Sequence, residues 1–457
     1  MSSDAARVYE QQAGYRPAGR RGIAMLGAAL IAFYILFPLD RGFPRVPFFG
    51  RPLSPAVAAT LLAFAVLVVH SRGRVFRGFR SRYCVVLSFY FLLLIVASLR
   101  ADAPLAALQL SVVFYCTFVV NYAVLLYVAR HAGVSQLVSL VVWAGLAAAV
   151  IGVMQGLFGV RLGMYEEWYM RYFQAQLAEQ SDVGVRGVGT LNNPILYGTA
   201  MVLLVPYVFT LRSVWVRVVI LSLTLVAAAL TGSRTVLLVL FVFMVGAVVV
   251  YRWRTLWMVP VLAVVVAIGV WQLGGWDVAV SDPQVRFLAG RIGVGDEASS
   301  QDAASSIDFR REVLAHGVSG VTTQWGPATW LFGKGQFTAA ELGEAVSVGY
   351  NTVDNAFFGV LYEKGVVGLF LFVWAFIAHL RATRVAARTS LHWYAPLALL
   401  AVGVSFDFDA YSTFNILAVG SMAIAAALAG QEVRQAARVM LISNGRRRAI
   451  PQARTGG

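Results

Sequence analysis

Residues 353–380 read VDNAFFGVLYEKGVVGLFLFVWAFIAHL. The run is long enough to cross a bilayer, yet it opens on Asp354-Asn355 and carries Glu363-Lys364 a few turns in. A charged side chain at mid-bilayer costs about 2.5–3.5 kcal/mol on insertion scales. Either these charges are not deep, or polar groups gather around them. If the spanning section begins near Gly365, the remainder to Leu380 covers about 24 Å at a rise of about 1.5 Å per residue. The turns from Asp354 to Lys364 then lie in the outer headgroup zone or in a cavity open to it. Asp354 stands at the helix start, either as an N-cap, for which Asp is a favoured type, or as a carboxylate facing a ligand. The two roles are compatible.

The rest of the chain follows the same pattern. Hydrophobic residues make up 59% of 457 and charged residues only 13%, and uncharged runs approach the ~20 residues that span hydrocarbon. This composition predicts an all-α, polytopic integral membrane protein and excludes a single soluble core. Apolar runs fall near 23–39, 54–70, 83–99, 105–129, 135–159, 195–211, 218–232, 235–251, 256–272, 355–380, 392–408 and 412–430, which predicts about twelve transmembrane helices. The first run is read as a retained signal anchor, because no small-residue cleavage site follows it. The net charge of +15 is carried almost wholly by arginine, Lys334 and Lys364 being the only lysines. Nucleic acid is not implied, since cytoplasmic loops of membrane proteins are rich in basic residues. Cys84 and Cys116 fall inside apolar runs, so neither a disulfide nor a zinc site is indicated.

Arginine placement sets the expected orientation. SRGRVFRGFRSR (residues 71–82), Arg252 and Arg254, then Arg381, Arg384 and Arg388, fall on the same side as both basic tails. The tails, 1–22 and 431–457, are thus cytoplasmic. Spans one to nine occupy 23–272, an extracytoplasmic loop occupies 273–353 between the ninth and tenth helices, and the last three spans occupy 354–430. A shorter outer loop holds MYEEWYMRYF (164–173), in which Tyr165, Trp168, Tyr169, Tyr172 and Phe173 form one helical stripe. A helix near 161–180 therefore lies in the headgroup layer or packs on other loops.

Charge gathers at the outer face. In ASSIDFRREVLAHGVSG (304–320), Ser305 and Asp308 have the spacing of a capping-box variant, with Gly317 ending the helix. Arg310 and Arg311 would then occupy early turns, where cations oppose the macrodipole. They serve a bound anion or pair with Asp308 and Glu312 in a surface network. WLFGKGQF (330–337) sets Gly333 and Gly335 around Lys334, a tight turn and a candidate phosphate contact. LTGSRTVLLVL (230–240) interrupts apolar sequence with Gly232-Ser233-Arg234. Arg234 either snorkels to headgroups or grips an anion, guanidinium matching phosphate oxygens in a bidentate fork. One carboxylate and several arginines in an outward cavity suit a lipid diphosphate. The arginines stabilise charge on the leaving group, and the carboxylate takes a proton from an attacking hydroxyl.

In this order, the motifs resemble those of the O-antigen ligase and O-antigen polymerase superfamily of membrane glycosyltransferases. GTLNNPILYGTAMVLLVPY (189–207) resembles the Asn-Pro motif opening a middle span, and LTGSRTVLLVL the Ser-Arg motif at an outer span end. SSIDFRREVL (305–314) is similar to the loop segment bearing a Ser-x-x-x-Arg arginine, and WLFGKGQF to the Gly-x-Gly turn. DNAFFGVLYEKGVVGL (354–369) is similar to the motif of His-Asn, Glu-x-Gly and Gly-Leu. The resemblance implies a GT-C-like fold in the inner membrane, a polyprenyl-diphosphate glycan donor, a glycan or lipid-linked acceptor, inversion at the anomeric carbon, and neither cofactor nor metal. It implies that Arg234 and Arg310 bind the diphosphate and that Asp354 acts on the acceptor, with Arg311, Asn355, Asn193 and Lys334 as binding residues. Many members carry histidine where this chain has Asp354. Unperturbed Asp titrates near 3.9 against about 6.5 for His, so Asp354 is a weak base or an orienting group. Glu363 aligns with Glu-x-Gly and is assigned to structure. Polymerase and ligase differ in acceptor, and the departure from histidine favours polymerase. A lipid-linked sugar flippase, or a metal enzyme using Asp407 and Asp409, are the competing readings.

Overall fold

The computed structural model describes residues 19–36, 47–48, 51–52, 55–101, 104–158, 191, 194–231, 233–251, 297–335, 338, 355–405 and 415–448. Apart from a two-residue antiparallel pairing of Pro47–Phe48 with Arg51–Pro52, the regular structure among these residues is helical. In chain order the helices are α1 Gly19–Leu36, α2 Pro55–Ser71, a 3-10 helix Arg74–Arg80, α3 Arg82–Leu99, α4 Pro104–Tyr115, a π-helical segment Cys116–Val120 and α5 Asn121–His131. Then come α6 Val134–Phe158, α7 Pro194–Leu203, α8 Val205–Phe209, α9 Val214–Ala229, α10 Arg234–Tyr251, α11 Glu297–Gln324 and α12 Pro327–Phe332. The chain closes with α13 Ala356–Ala382, 3-10 turns at Arg384–Arg388 and Leu391–Tyr394, α14 Ala395–Ser405 and α15 Asn415–Arg448.

Among the described residues, five helices are long and apolar enough to cross a membrane: Arg82–Leu99, Pro104–His131, Val134–Leu157, Ala356–Ala382 and Asn415–Gln435. Val57–Ser71 together with Arg74–Arg80 makes a sixth if that pair, bent by 118°, is one span. Five further apolar helices are shorter, among them Arg21–Leu36 and Val214–Ala229. Most of their buried side chains merge into one continuous core. Small residues let the helices approach closely, as expected where lipid supplies little hydrophobic drive between them. A Cβ at Gly246 would come within 2.8 Å of the Tyr394 ring, and one at Gly27 within 2.8 Å of Val128.

The 3-10 helix illustrates how sequence sets shape. With three residues per turn, side chains at i and i+3 eclipse, so RVFRGFR sorts into three rows. Val75 and Gly78 form the buried row, and a Cβ at Gly78 would reach the Ala123 backbone at 2.9 Å. Phe76 and Phe79 form a second row against Phe64, with ring centroids at 5.5 and 5.7 Å. Arg74, Arg77 and Arg80 make the third, with Arg74, Arg77 and Arg80 all exposed. In the interior, polar groups satisfy one another. Tyr34, Thr60 and Asn121 close a ring of hydrogen bonds of 2.7, 3.0 and 3.1 Å beside the π-helical segment. Polar side chains in an apolar bundle need such partners.

Contacts fix the direction of each helix. α3 runs antiparallel to α13, with Tyr83 against Phe376 and Tyr90 against Phe372. α14 runs antiparallel to α13: Asn355 Nδ2 donates to the Val404 carbonyl at 3.1 Å, and Trp393 Nε1 to the Leu380 carbonyl at 3.2 Å. Gly246 lies by Tyr394, so α10 is antiparallel to α14. The first residues of α10 and α13 therefore share one end of the bundle, together with the last of α3 and α14.

Candidate functional site

At that end the helix carrying Glu363-Lys364 is broken. Gly365 has φ 67° and ψ −172°, a conformation that a Cβ would strain. The break removes the helical partners of the Tyr362 and Glu363 carbonyls, which would otherwise accept from residues 366 and 367. The turn after α12 replaces them. Lys334 N–H donates to the Tyr362 carbonyl at 3.0 Å, and Gly335 N–H to the Glu363 carbonyl at 3.1 Å. Gly333 and Gly335 have φ 73° and 123°. A Cβ at Gly333 would overlap the Glu363 carbonyl group, and one at Gly365 would overlap that of Leu331. The Gly-Lys-Gly and Glu-Lys-Gly stretches thus interlock through main chain.

The charges inside the apolar run are resolved by pairing. Lys364 Nζ lies 2.8 Å from Glu363 Oε2, with the two side chains only 4% and 13% exposed. Lys334 Nζ donates to the Tyr362 hydroxyl at 2.8 Å, a half-buried ammonium whose other two donors have no hydrogen-bond partner among the described residues. α11 covers this corner. Val313 and Val321 cluster with Tyr362, flanked by Leu314, Trp325 and Phe358.

The candidates from sequence fall as follows. Asp354 and Asn193 lie outside the described residues. Asn355 is the N-cap of α13: its Oδ1 accepts from Phe358 N–H at 2.9 Å while its Nδ2 holds Val404. The cap is therefore Asn355 and not Asp354, since this backbone starts one residue later than the sequence reading placed it. Both ends of the Asn355 amide are engaged in the fold. Arg234 is the first residue of α10, described at the level of backbone. Asn193 immediately precedes α7, and Gly198 of α7 lies against Thr231 and Val236. α7 and α10 are thus neighbours, and α13 begins toward the same end of the bundle.

Arg310 and Arg311 require a correction. α11 extends from Glu297 to Gln324, so Ser305 and Asp308 do not open a helix and Gly317 does not end it. The two arginines sit mid-helix, and opposition to the macrodipole gives no reason for them, because that effect is confined to the end turns. Arg311 is exposed. Position 310 shares its helical row with Gly317 and Val321, both buried, and stands one turn before the residues packed on Tyr362. The expected interfacial helix at 161–180, the span at 256–272 and Asp407 with Asp409 lie outside the described residues.

Sequence reasoning missed Tyr362 and Arg100. A Cβ at Gly335 would lie 3.3 Å from the Arg100 carbonyl oxygen, which brings the end of α3 to the same corner. The paired glycine motifs were the available signal, because two Lys-Gly steps predict two irregular backbones needing mutual partners. No family model matches the chain, and no curated protein matches it significantly.

Proposed function

We propose that the chain is a glycosyltransferase of the O-antigen polymerase and ligase type, with twelve spans in a GT-C-like arrangement and both termini cytoplasmic. It takes a glycan from a polyprenyl diphosphate at the outer face of the inner membrane and transfers it to a hydroxyl of a second lipid-linked glycan. The observation that carries this reading is the convergence at one bundle end. Segments opening at Pro194, Arg234 and Asn355 begin toward this end, the first two in contact and the third tethered to the end of α14, with the Lys334 turn docked on the third. The loop helix bearing Arg310 packs on the same corner.

The chemistry is a single displacement. An acceptor oxygen attacks the anomeric carbon, the bond from that carbon to the diphosphate oxygen breaks, and the electron pair leaves with the diphosphate. Arg234 and Arg310 neutralise the charge growing on it, with Arg311 and Lys334 as further cations. Asp354 orients the acceptor and receives its proton. The acceptor is a nucleophile at one face and the diphosphate leaves from the other, so configuration inverts. The twelve-span count is supported by direction as well as hydropathy. α10 and α13 run the same way, which suits one further crossing between them, expected at 256–272.

The test uses purified protein and a defined polyprenyl-diphosphate oligosaccharide without nucleotide. Product should lengthen; Arg234→Ala and Arg310→Ala should each abolish lengthening while the protein still inserts. Asp354→Asn should lose about 10²–10⁴ in rate. Transport of the lipid-linked sugar without new glycosidic bonds would replace this reading by the flippase.

A further inference from the structure

The opposite end of the bundle holds a cavity of about 320 Å³ whose walls are basic. It lies between the 3-10 helix, the last turns of α5 and the C-terminal helix, and is lined by Arg74, Arg77, Arg130, His131 and Arg434 with no carboxylate. Its volume falls at the lower end of the roughly 300–1,000 Å³ typical of small-molecule sites. Among the described residues, none of these four arginines forms an ion pair. Arg434 Nε donates to the Gly430 carbonyl at 3.0 Å. His131 stacks on Tyr127 with ring centroids 4.1 Å apart, and its Nδ1 is hydrogen-bonded to the Tyr127 carbonyl at 2.9 Å, leaving Nε2 for a ligand. Three separate elements thus bring exposed cations, without an ion-pair partner among the described residues, to the rim of one space, where they repel one another.

We propose that this cavity is a binding site for a phosphate-bearing anion. Guanidinium forks match phosphate oxygens, and basic pockets between helices at a membrane surface take phosphorylated headgroups. The period-three arginine row delivers Arg74 and Arg77 to the site on one edge, while half-exposed Phe76 lies on the next. An apolar ring beside a charged row suits a position at headgroup level. A phospholipid headgroup and a soluble diphosphate offer the same oxygens. This site is independent of the proposed transferase site and stands at the other end of α3.

Full-length protein, purified in detergent, would be offered equal amounts of phosphatidylglycerol and phosphatidylcholine and observed by native mass spectrometry. In parallel, inorganic pyrophosphate would be titrated by calorimetry into protein held in phosphatidylcholine nanodiscs. Retention of phosphatidylglycerol alone assigns a headgroup; pyrophosphate binding alone assigns a soluble ligand. Either should weaken at least tenfold in Arg77→Gln and, on a different helix, in Arg434→Gln. Arg80→Gln, in the same row but outside the cavity lining, should leave binding unchanged. No preference for phosphatidylglycerol together with no pyrophosphate binding overturns the proposal, as does binding that survives both lining substitutions.

Discussion

Gly333 and Gly365 are held by backbone rather than by side-chain chemistry, and each is pressed against a peptide group of the other segment. An alanine at either position must adopt a positive-φ, extended-ψ conformation that is essentially confined to glycine, costing about 1–3 kcal/mol, and must also push main chain apart. Gly333→Ala and Gly365→Ala should therefore lower the unfolding temperature, whereas Gly326→Ala, with open space around it, should not. Cys84 and Cys116 are buried and free, so a thiol-reactive dye reports that temperature directly. The Lys364–Glu363 pair makes a second prediction. Removing one partner from a buried pair costs about 3–5 kcal/mol because the other charge is stranded. Lys364→Met should destabilise more than the double variant Glu363→Gln/Lys364→Met, measured by the same dye. The sequence posed the right question here. It showed two charges in an apolar run and a spanning section opening at Gly365, where the helix does break. The mutual neutralisation was not legible, since nothing local says that adjacent side chains turn toward one another.

Among the helices, what hydropathy could not see is what packing decides. The π-helical turn at Cys116–Val120 sits in mostly apolar sequence, so no periodicity marks it. α11 ignores Ser305, Asp308 and Gly317 as stop and start signals because contacts of Val313 and Val321 with Tyr362 outweigh local preference. Propensity costs amount to only about 0.5–1 kcal/mol per residue. The period-three row in RVFRGFR was written in the sequence and could have been read as a 3-10 helix. Asn355 is the element-level hinge between cap and tether. Asn355→Ala should lose about 1–2 kcal/mol through the cap and also release Val404. Asn355→Asp keeps an acceptor for Phe358 N–H but has no donor for Val404, so its thermal stability should fall between the two.

For the whole molecule, composition alone pointed to the class: the described residues are almost wholly helical, with long apolar helices among them. The number of crossings is harder to read because several apolar helices are shorter than a bilayer, and their ends rest on neighbours rather than on hydropathy. The orientation we propose rests on the arginines, and it can be checked without any substrate. In intact cells, a membrane-impermeant maleimide should label Gln324→Cys, on exposed α11, and should spare Arg384→Cys, at the opposite end of α13. Labelling of Arg384→Cys alone would invert the proposed topology and place the convergent helix starts inside the cell. The candidate site could be named in the sequence only as a set of residue types and spacings. Its location was not, because only the tertiary course of α7, α10, α13 and α14 brings their ends together.

The 118° elbow after α2 has a mechanical consequence. A limb turned that sharply, with phenyl rings along one edge and guanidinium groups along the next, acts like a float at a waterline. On the proposed topology it would set how deep the bundle rides, so thinning or thickening the surrounding lipid should tilt the other helices before it moves this one.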